Sequence, residues 1–552
     1  MATLFEQHRA LLEDAVAAAR SRKYWAAFPE MPSGKVYGET AKADGEAAYQ
    51  AYLGTTFEIP GHPGEGTVGA EVSPYGGALN VGYPAASADS LIAASKAAMP
   101  GWAAAGVEAR VGICLEILKR LNARSFEIAN AVMKTTGQGF PMAFQAGGPH
   151  AQDRGLEAVA YGWEAMAYTP STASWSKPAG KGMTIDMEKR WRIVPRGIGL
   201  VIGCNTFPTW NSYPGLFASL VTGNPVIVKP HPAAILPLAI TVKVIREVVA
   251  EQGLDPNVAV LAAENPGGEM AKAFIGHPDV ALIDYTGSST FGSWIRANAG
   301  AAQVFSEEAG VNPVVIAGTD NFRGMCANLG FSVSLYSGQM CTAPQALYVP
   351  RDGIDTEDGH KSFDEVAAGI AKSVDKLLSD PGRAAAVCGA IAADATMQRI
   401  KECRSLGRVV RESGPIEGME GARTATPLLL AIDAATSDAH SEERFGPIAF
   451  VVAVDSAADG LAHAIAGVQN KGAITAAVYA TDAAFLDAAE DAFAAVGANL
   501  SCNLVGDIYV NQSTAFSDYH ATGANPAANA CFTDLAFVAN RFRVAAARRL
   551  AA

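Results

Sequence analysis

Between residues 198 and 292 the chain alternates short apolar runs with longer amphipathic ones, and this alternation constrains the fold more than any other feature. Ile198-Gly199-Leu200-Val201-Ile202-Gly203 carries no polar side chain, so it reads as a strand buried on both faces. A helix pattern at 215–222 follows, then a strand at 225–228, a helix at 235–250 closed by Gly253, strands at 258–262 and 280–284, and a helix from Thr290 onward. Strands separated by helices of this length pair in parallel, which predicts an α/β, doubly wound Rossmann-type sheet. Ligands of such sheets bind beyond the carboxyl ends of the strands. There the sequence places Asn205-Thr206-Phe207-Pro208, Lys229-Pro230-His231-Pro232 and Thr286-Gly287-Ser288-Ser289-Thr290-Phe291-Gly292. An amide, a lysine and a Gly/Ser helix start suit an oxyanion and a phosphate, although the last loop reads equally as an N-capped helix.

A second α/β block extends from 314 to about 510, with strands predicted near 314–316, 346–349, 448–452, 475–479 and 508–510. Within it Gly338-Gln339-Met340-Cys341-Thr342 sets one cysteine on a glycine turn, between a helix ending at 327–336 and a short strand closed by Pro350. Such a thiol is either a nucleophile or a small buried hydrophobe, and the pentapeptide alone leaves both open. Upstream, residues 87–163 turn helical, with Val111, Cys114, Leu115, Leu118 and Leu121 on one face, which makes Cys114 core. Residues 169–182 read as a loop hinge. Residues 1–85 show weak periodicity and read as an extension wrapped on the main body. Gly64-Glu65-Gly66-Thr67-Val68-Gly69 matches a dinucleotide fingerprint but lacks the strand before it and the helix after it, so it reads as a loop. The chain is loop-rich from about 511, and 537–544 reads as a terminal strand or arm.

Composition removes several function classes. With 42 basic and 55 acidic residues there is no basic footprint for nucleic acid. No uncharged apolar run reaches the ~18 residues of a membrane span and the N-terminus lacks a basic leader with an apolar core, so no membrane partner and a cytoplasmic location are expected. The eight cysteines are scattered, without a Cys-x-x-Cys pair, so neither a metal site nor a disulfide framework is expected.

Six motifs occur in order: Asn205-x-Phe207-Pro208; Gly223-Asn224-Pro225-Val226-Ile227-Val228-Lys229-Pro230; Tyr285-Thr286-Gly287-Ser288 with Gly292; Glu307-Glu308-Ala309-Gly310-Val311-Asn312-Pro313; the Cys341 pentapeptide; and Glu442-Glu443-Arg444-Phe445-Gly446-Pro447. Together they resemble the NAD(P)-dependent aldehyde dehydrogenase superfamily from about Ser87 to the end. The N-terminal extension and the stretches 146–153 and 336–341 look like the PaaN-type enzymes of aerobic phenylacetate degradation.

The resemblance implies a cofactor domain at 86–310 with an arm hairpin at about 176–194, a catalytic domain at 311–510, and a substrate loop and oligomerisation arm at 511–552, after the extension at 1–85. It assigns Cys341 as nucleophile, Asn205 as oxyanion donor and Glu307 as general base, with Glu308 the runner-up. Lys229, His231, Gly287, Ser288, Gly292, Glu443 and Phe445 would hold the cofactor. Phe207, Trp210, Tyr213, Met340 and Tyr519 would line the substrate entrance. Where NAD-preferring members often carry a Glu three residues beyond the lysine, this chain has Pro232. A 2'-phosphate would then meet neutral or positive groups, so NADP is expected over NAD. The implied substrate is an aldehyde, CoA-linked if the PaaN-type likeness extends to it, with a separate ring-opening hydrolase as pathway partner and a homodimer or larger assembly. A CoA-acylating dehydrogenase and a cysteine thioesterase or hydrolase, which usually pairs its Cys with a His, are the competing readings.

Overall fold

The computed structural model describes residues 2–308 and 310–551; Ala309, inside the Glu307 motif, lies outside the described residues. The first sheet has five parallel strands in the spatial order Ala259–Leu261, Val226–Lys229, Ile198–Ile202, Val280–Gly287, Gln303–Glu308. The chain starts at the centre, steps to one edge, then returns to the other side of Ile198–Ile202. Its order therefore reverses beside that strand, and the carboxyl ends diverge there into a crevice.

The four predicted strands are present. The fifth, Gln303–Glu308, was not legible as a strand because its last three residues, Ser306-Glu307-Glu308, are polar. They are nonetheless almost fully buried, because the strand pairs with Val280–Gly287 and is capped on its outer side by Ala528 and Asn529. The helix expected at 215–222 is Pro208–Val221, begun by a proline whose missing N–H costs nothing in the first turn.

Above this sheet the helix Val107–Ala123 buries Val111, Cys114, Leu115, Leu118 and Leu121 completely. The helix Leu4–Ser21, started by the Thr3 hydroxyl accepting from Glu6 N–H, packs on it so closely that a side chain at Gly112 would strike the Phe5 backbone. Residues 2–85 thus contribute to the main core, through Phe5, Leu12 and Tyr83 among others. The inward stripe of that helix, Phe5, Leu12, Ala15, Ala18 and Ala19, is mostly alanine, so its hydrophobic contrast is weak.

The second sheet has seven strands, in the order Arg408–Arg411, Leu428–Asp433, Ile448–Val454, Pro344–Pro350, Asn312–Ile316, Thr475–Tyr479, Asn499–Cys502. Only the first pairing, at the edge, is antiparallel. The strand predicted at 508–510 is absent: Asn503 and Gly506 adopt positive φ and turn the chain away from the sheet, leaving Ile508 exposed. Residues 172–180, read as part of a loop, form the strand Thr172–Gly180. It joins Met183–Pro195 and the C-terminal Phe542–Leu550 in a three-stranded antiparallel arm that is largely exposed on both faces. Residues 537–541, expected to be extended, fall in and just after the short helix Leu535–Ala539.

Candidate active site

The helix Phe322–Ser334 stops because Tyr336, Ser337 and Gly338 take left-handed φ angles. Gly338 is required there twice over, by its φ of +62° and because a Cβ would run into the Gly446 backbone. The tight turn brings Cys341 to a cavity wall, where the Asn312 side-chain amide donates to the Cys341 carbonyl at 2.8 Å and to the Ala343 carbonyl at 2.9 Å. Thr342 Oγ1 donates to the Asn511 carbonyl at 2.8 Å. The backbone around Cys341 is thus tied to the strand Asn312–Ile316, and Thr342 ties the turn to the loop that carries Asn511.

Glu307, near the end of Gln303–Glu308, has no exposed surface and turns toward Cys341. Asn211 Nδ2 donates to its Oε1 at 3.3 Å. Its neighbour Glu308 points to the opposite face of the strand, as alternation demands, and pairs with Arg296 under Gly292. A side chain at position 292 would strike that carboxylate. The two acids therefore have separate settings, with Glu307 beside Cys341 and Glu308 under the Gly/Ser loop.

His520, on the loop 511–534, completes a cluster that sequence reasoning missed. Its Nε2 lies 3.7 Å from Cys341 Sγ and 3.1 Å from Glu307 Oε2. The reactive atoms of Cys341, Glu307 and His520 all lie within 4.8 Å of one another although the residues span the second half of the chain. Enclosure in protein, and then the nearby Glu307 carboxylate, push the Cys341 thiol well above its ordinary pKa.

The cavity in front of Cys341 has a volume of about 750 Å³ including its open mouth. Phe207, Trp210 and Met340 line it as expected, and so do His150, Asn211 and His520, which carried no motif. Tyr24 and Glu30 of the N-terminal segment also line it, so residues once without a readable role help shape the entrance. Tyr213 does not: its ring is fully buried and its hydroxyl lies 2.9 Å from Thr241, because it sits on the inner face of Pro208–Val221. Tyr519 also stays out of the cavity, about half exposed under the Arg22 guanidinium 3.9 Å above its ring. Among the described lining residues none is Lys or Arg.

Asn205 is half-buried, in the turn between Ile198–Ile202 and Pro208–Val221, and its amide makes no internal hydrogen bond among the described residues. The additional residue Thr206 is accommodated because Gln138 Nε2 holds its carbonyl at 2.7 Å. Asn211, one helical turn beyond Phe207, is the amide that faces both Glu307 and the cavity.

At the carboxyl ends of the first sheet Lys229 forms a buried ion pair with Glu264, from the loop after Ala259–Leu261; Glu264 also accepts from Met270 N–H at 2.9 Å. His231 Nδ1 accepts from Ala233 N–H at 3.1 Å, and burial together with Lys229 lowers its pKa to about 4, so it is neutral at physiological pH. A carboxylate, Glu264, thus already stands on Lys229, the residue beside which the sequence reading placed a 2'-phosphate. Ser288 caps the helix Ser289–Asn298 by accepting from Phe291 N–H at 3.4 Å. Glu443 and Phe445 lie with Met340 around a narrow crevice behind the cysteine turn, and burial raises the Glu443 pKa to about 7. An ammonium–carboxylate pair and a Ser-capped helix N-terminus, both at carboxyl ends of strands of one parallel sheet, have the donor set to hold ribose hydroxyls and a pyrophosphate, so these residues fit a dinucleotide.

The Aldehyde dehydrogenase family model matches residues 72–524, and the chain belongs to that family, whose members are oxidoreductases acting on aldehydes with NAD or NADP. It is 54% identical to an NAD-dependent aldehyde dehydrogenase from Burkholderia multivorans of known structure, with all of both chains aligned and a TM-score of 0.98. A 1-pyrroline-5-carboxylate dehydrogenase shares the fold at 17% identity, covering 96% of this chain and 99% of its own, with a TM-score of 0.76. N-succinylglutamate 5-semialdehyde dehydrogenase from Burkholderia lata is 25% identical over 380 residues, 67% of this chain and 72% of its own length.

Proposed function

We propose that this protein oxidises an aldehyde to its carboxylate, with Cys341 as nucleophile and Glu307 as the base that activates water. The observation that carries this reading is the approach of a buried Glu307 to Cys341, which lines the cavity, at the carboxyl end of the strand that pairs with Val280–Gly287. Cys341 Sγ attacks the carbonyl carbon, and the oxyanion is held by N–H donors, the Cys341 backbone and the unengaged Asn205 amide. A dinucleotide held by Lys229, Ser288 and Glu443 would supply the hydride acceptor. Glu307 then removes a proton from the water that cleaves the Cys341 thioester, and Asn211 keeps the carboxylate aimed.

A cavity wall without Lys or Arg disfavours an aldehyde bearing its own carboxylate near the reacting carbon, and Glu30 at the wall adds to that bias. The best-fitting substrate has an uncharged end. The CoA-linked semialdehyde of ring-opened phenylacetate, the reading from the PaaN-type resemblance, satisfies this if its nucleotide stays outside the mouth; a ring-opening hydrolase would have to act before it. In an assay of reduced-cofactor formation, uncharged medium-chain and aromatic aldehydes are expected to exceed succinate semialdehyde by about tenfold or more in kcat/KM. CoA-linked semialdehydes belong in the same panel. No turnover of any aldehyde with either cofactor would overturn the proposal. Cofactor-independent ester cleavage without aldehyde oxidation would favour the hydrolase reading, toward which His520 beside Cys341 is the one pointer.

For the cofactor the Pro232 argument favours NADP, but Glu264 occupying Lys229 favours NAD, and the buried charge outweighs an absent one. The relative from Burkholderia multivorans is named as NAD-dependent. Glu264→Gln is expected to improve the Kd ratio for NADP over NAD by about tenfold, read by direct titration of the reduced cofactors' fluorescence. An unchanged ratio would remove Glu264 from the selection. The antiparallel arm ends in the open edge of Thr172–Gly180 and exposes Met183, Ile185, Val544 and Leu550, which supports assembly of copies through it.

A further inference from the structure

We propose that His520 is a catalytic residue that takes the Sγ proton of Cys341, so that the nucleophile stands as a thiolate–imidazolium pair. The inference rests on Cys341 being the attacking atom, and it explains how an enclosed thiol could attack at all. Burial, and then the Glu307 carboxyl beside Cys341 Sγ, oppose thiolate formation. A cation at the same point would reverse that balance, and an imidazole stands there.

Of its two close neighbours, His520 Nε2 meets hydrogen-bond geometry with Cys341 Sγ at 3.7 Å, whereas its 3.1 Å approach to Glu307 Oε2 is an ion-pair contact and leaves that oxygen without a directed hydrogen bond. In the step, the S–H bond breaks and an Nε2–H bond forms. The imidazole becomes imidazolium, and its charge faces both the new thiolate and the Glu307 carboxylate. When the thiolate attacks, the C–S bond forms and the carbonyl electron pair moves onto oxygen. The Nε2–H proton remains close to Glu307 for the later hydrolytic stage.

The surroundings support the assignment. The Trp210 ring meets the imidazole edge-on with centroids 4.5 Å apart and fixes its plane. The Phe532 N–H donates to the His520 carbonyl at 2.9 Å, which anchors the loop. The other titratable groups around the ring are Cys204 beyond Cys341, and His150 and Arg154 on the helix Pro149–Ala167. His150 is held neutral, its pKa lowered to about 3 by burial and then by Arg154 and His520. The Arg154 charge is taken up by Glu157 at 2.9 Å. On its own loop Asp518 is engaged with Thr514 N–H at 2.7 Å, and the Tyr519 ring lies outside against Arg22. The acid facing the imidazole without a cationic partner of its own is Glu307.

The test uses the full-length protein with neither aldehyde nor cofactor. Alkylation of Cys341 by iodoacetamide is followed by mass spectrometry of its peptide from about pH 5 to about pH 10, the range that brackets a free thiol near ~8.5. Expected is a reactive plateau already present near neutral pH, and in His520→Gln a fall of at least ~10-fold at pH 7 with convergence toward wild type at high pH. A structural role for His520 would not move the profile along the pH axis. A wild-type profile that rises only at or above the range of a free thiol would overturn the proposal. So would a folded His520→Gln variant with an unchanged profile. If His520→Gln does not fold, the wild-type profile alone decides. Failure of every aldehyde in the substrate panel would leave this reading of the thiol untouched, so the two proposals fail separately.

Discussion

Cys341→Ala is expected to abolish aldehyde-dependent reduction of the cofactor, with turnover down by about 10⁴ or more. Glu307→Gln should fail differently. Attack and hydride loss do not need the carboxylate, but water activation does, so one equivalent of reduced cofactor should form rapidly and turnover should then fall by ~10²–10⁴. Stopped-flow absorbance of the reduced nicotinamide separates the two outcomes. A Glu307→Gln enzyme with wild-type steady-state rate would move the base elsewhere. Glu308 is the natural rival by sequence, yet it is paired with Arg296 on the opposite side of the strand. Glu308→Gln should therefore disturb the Gly292 loop rather than the hydrolytic step.

The second large effect is on stability. Arg541 has no exposed surface and clamps Asp284 with two bonds, Nη1 to Oδ2 at 2.8 Å and Nη2 to Oδ1 at 2.6 Å. Its guanidinium carbon lies 4.2 Å from the ring centroids of both Phe305 and Phe537, and Ser219 Oγ accepts from it at 2.9 Å. Gly215 leaves room for the carboxylate, which a Cβ would strike. Removing one partner of such a pair leaves the other charge buried without compensation, so Asp284→Ala should cost about 3–5 kcal/mol. Arg541→Met, close in shape and uncharged, leaves a buried carboxylate and should be destabilising too, whereas the double variant should recover part of the loss. Chemical denaturation of the four proteins checks this. Additive losses in the double variant would show that the pair is not coupled.

Much of the fold was legible because the first sheet is buried on both faces, so that Ile198–Ile202 and residues 226–228 are uninterrupted apolar runs with hardly any alternative conformation. The same logic failed where burial and polarity part company. Gln303–Glu308 ends in polar residues because its end builds the site, and Thr172–Gly180 is exposed on both faces and so has no apolar period. Ile508 misled in the opposite sense, as an apolar residue that the turns at Asn503 and Gly506 leave in solvent. The helix Leu4–Ser21 was hidden by alanine, whose small side chains allow close packing but give little contrast.

By itself the sequence determined the aldehyde dehydrogenase family, the two α/β sheets, and Cys341 and Glu307 as the groups to examine, because each rests on a local motif or a periodic pattern. Tertiary structure decided what surrounds them. His520, Asn211 and Glu264 stand in no motif, and their chemistry arises from approaches of 3.7 Å and 3.3 Å, and from a direct contact with Lys229, between segments far apart in the chain. It also took Tyr213 and Tyr519 out of the cavity and put Tyr24 and Glu30 in. Charge and proton transfer depend on distance and burial, and for residues on loops neither is set by the identity of their neighbours along the chain.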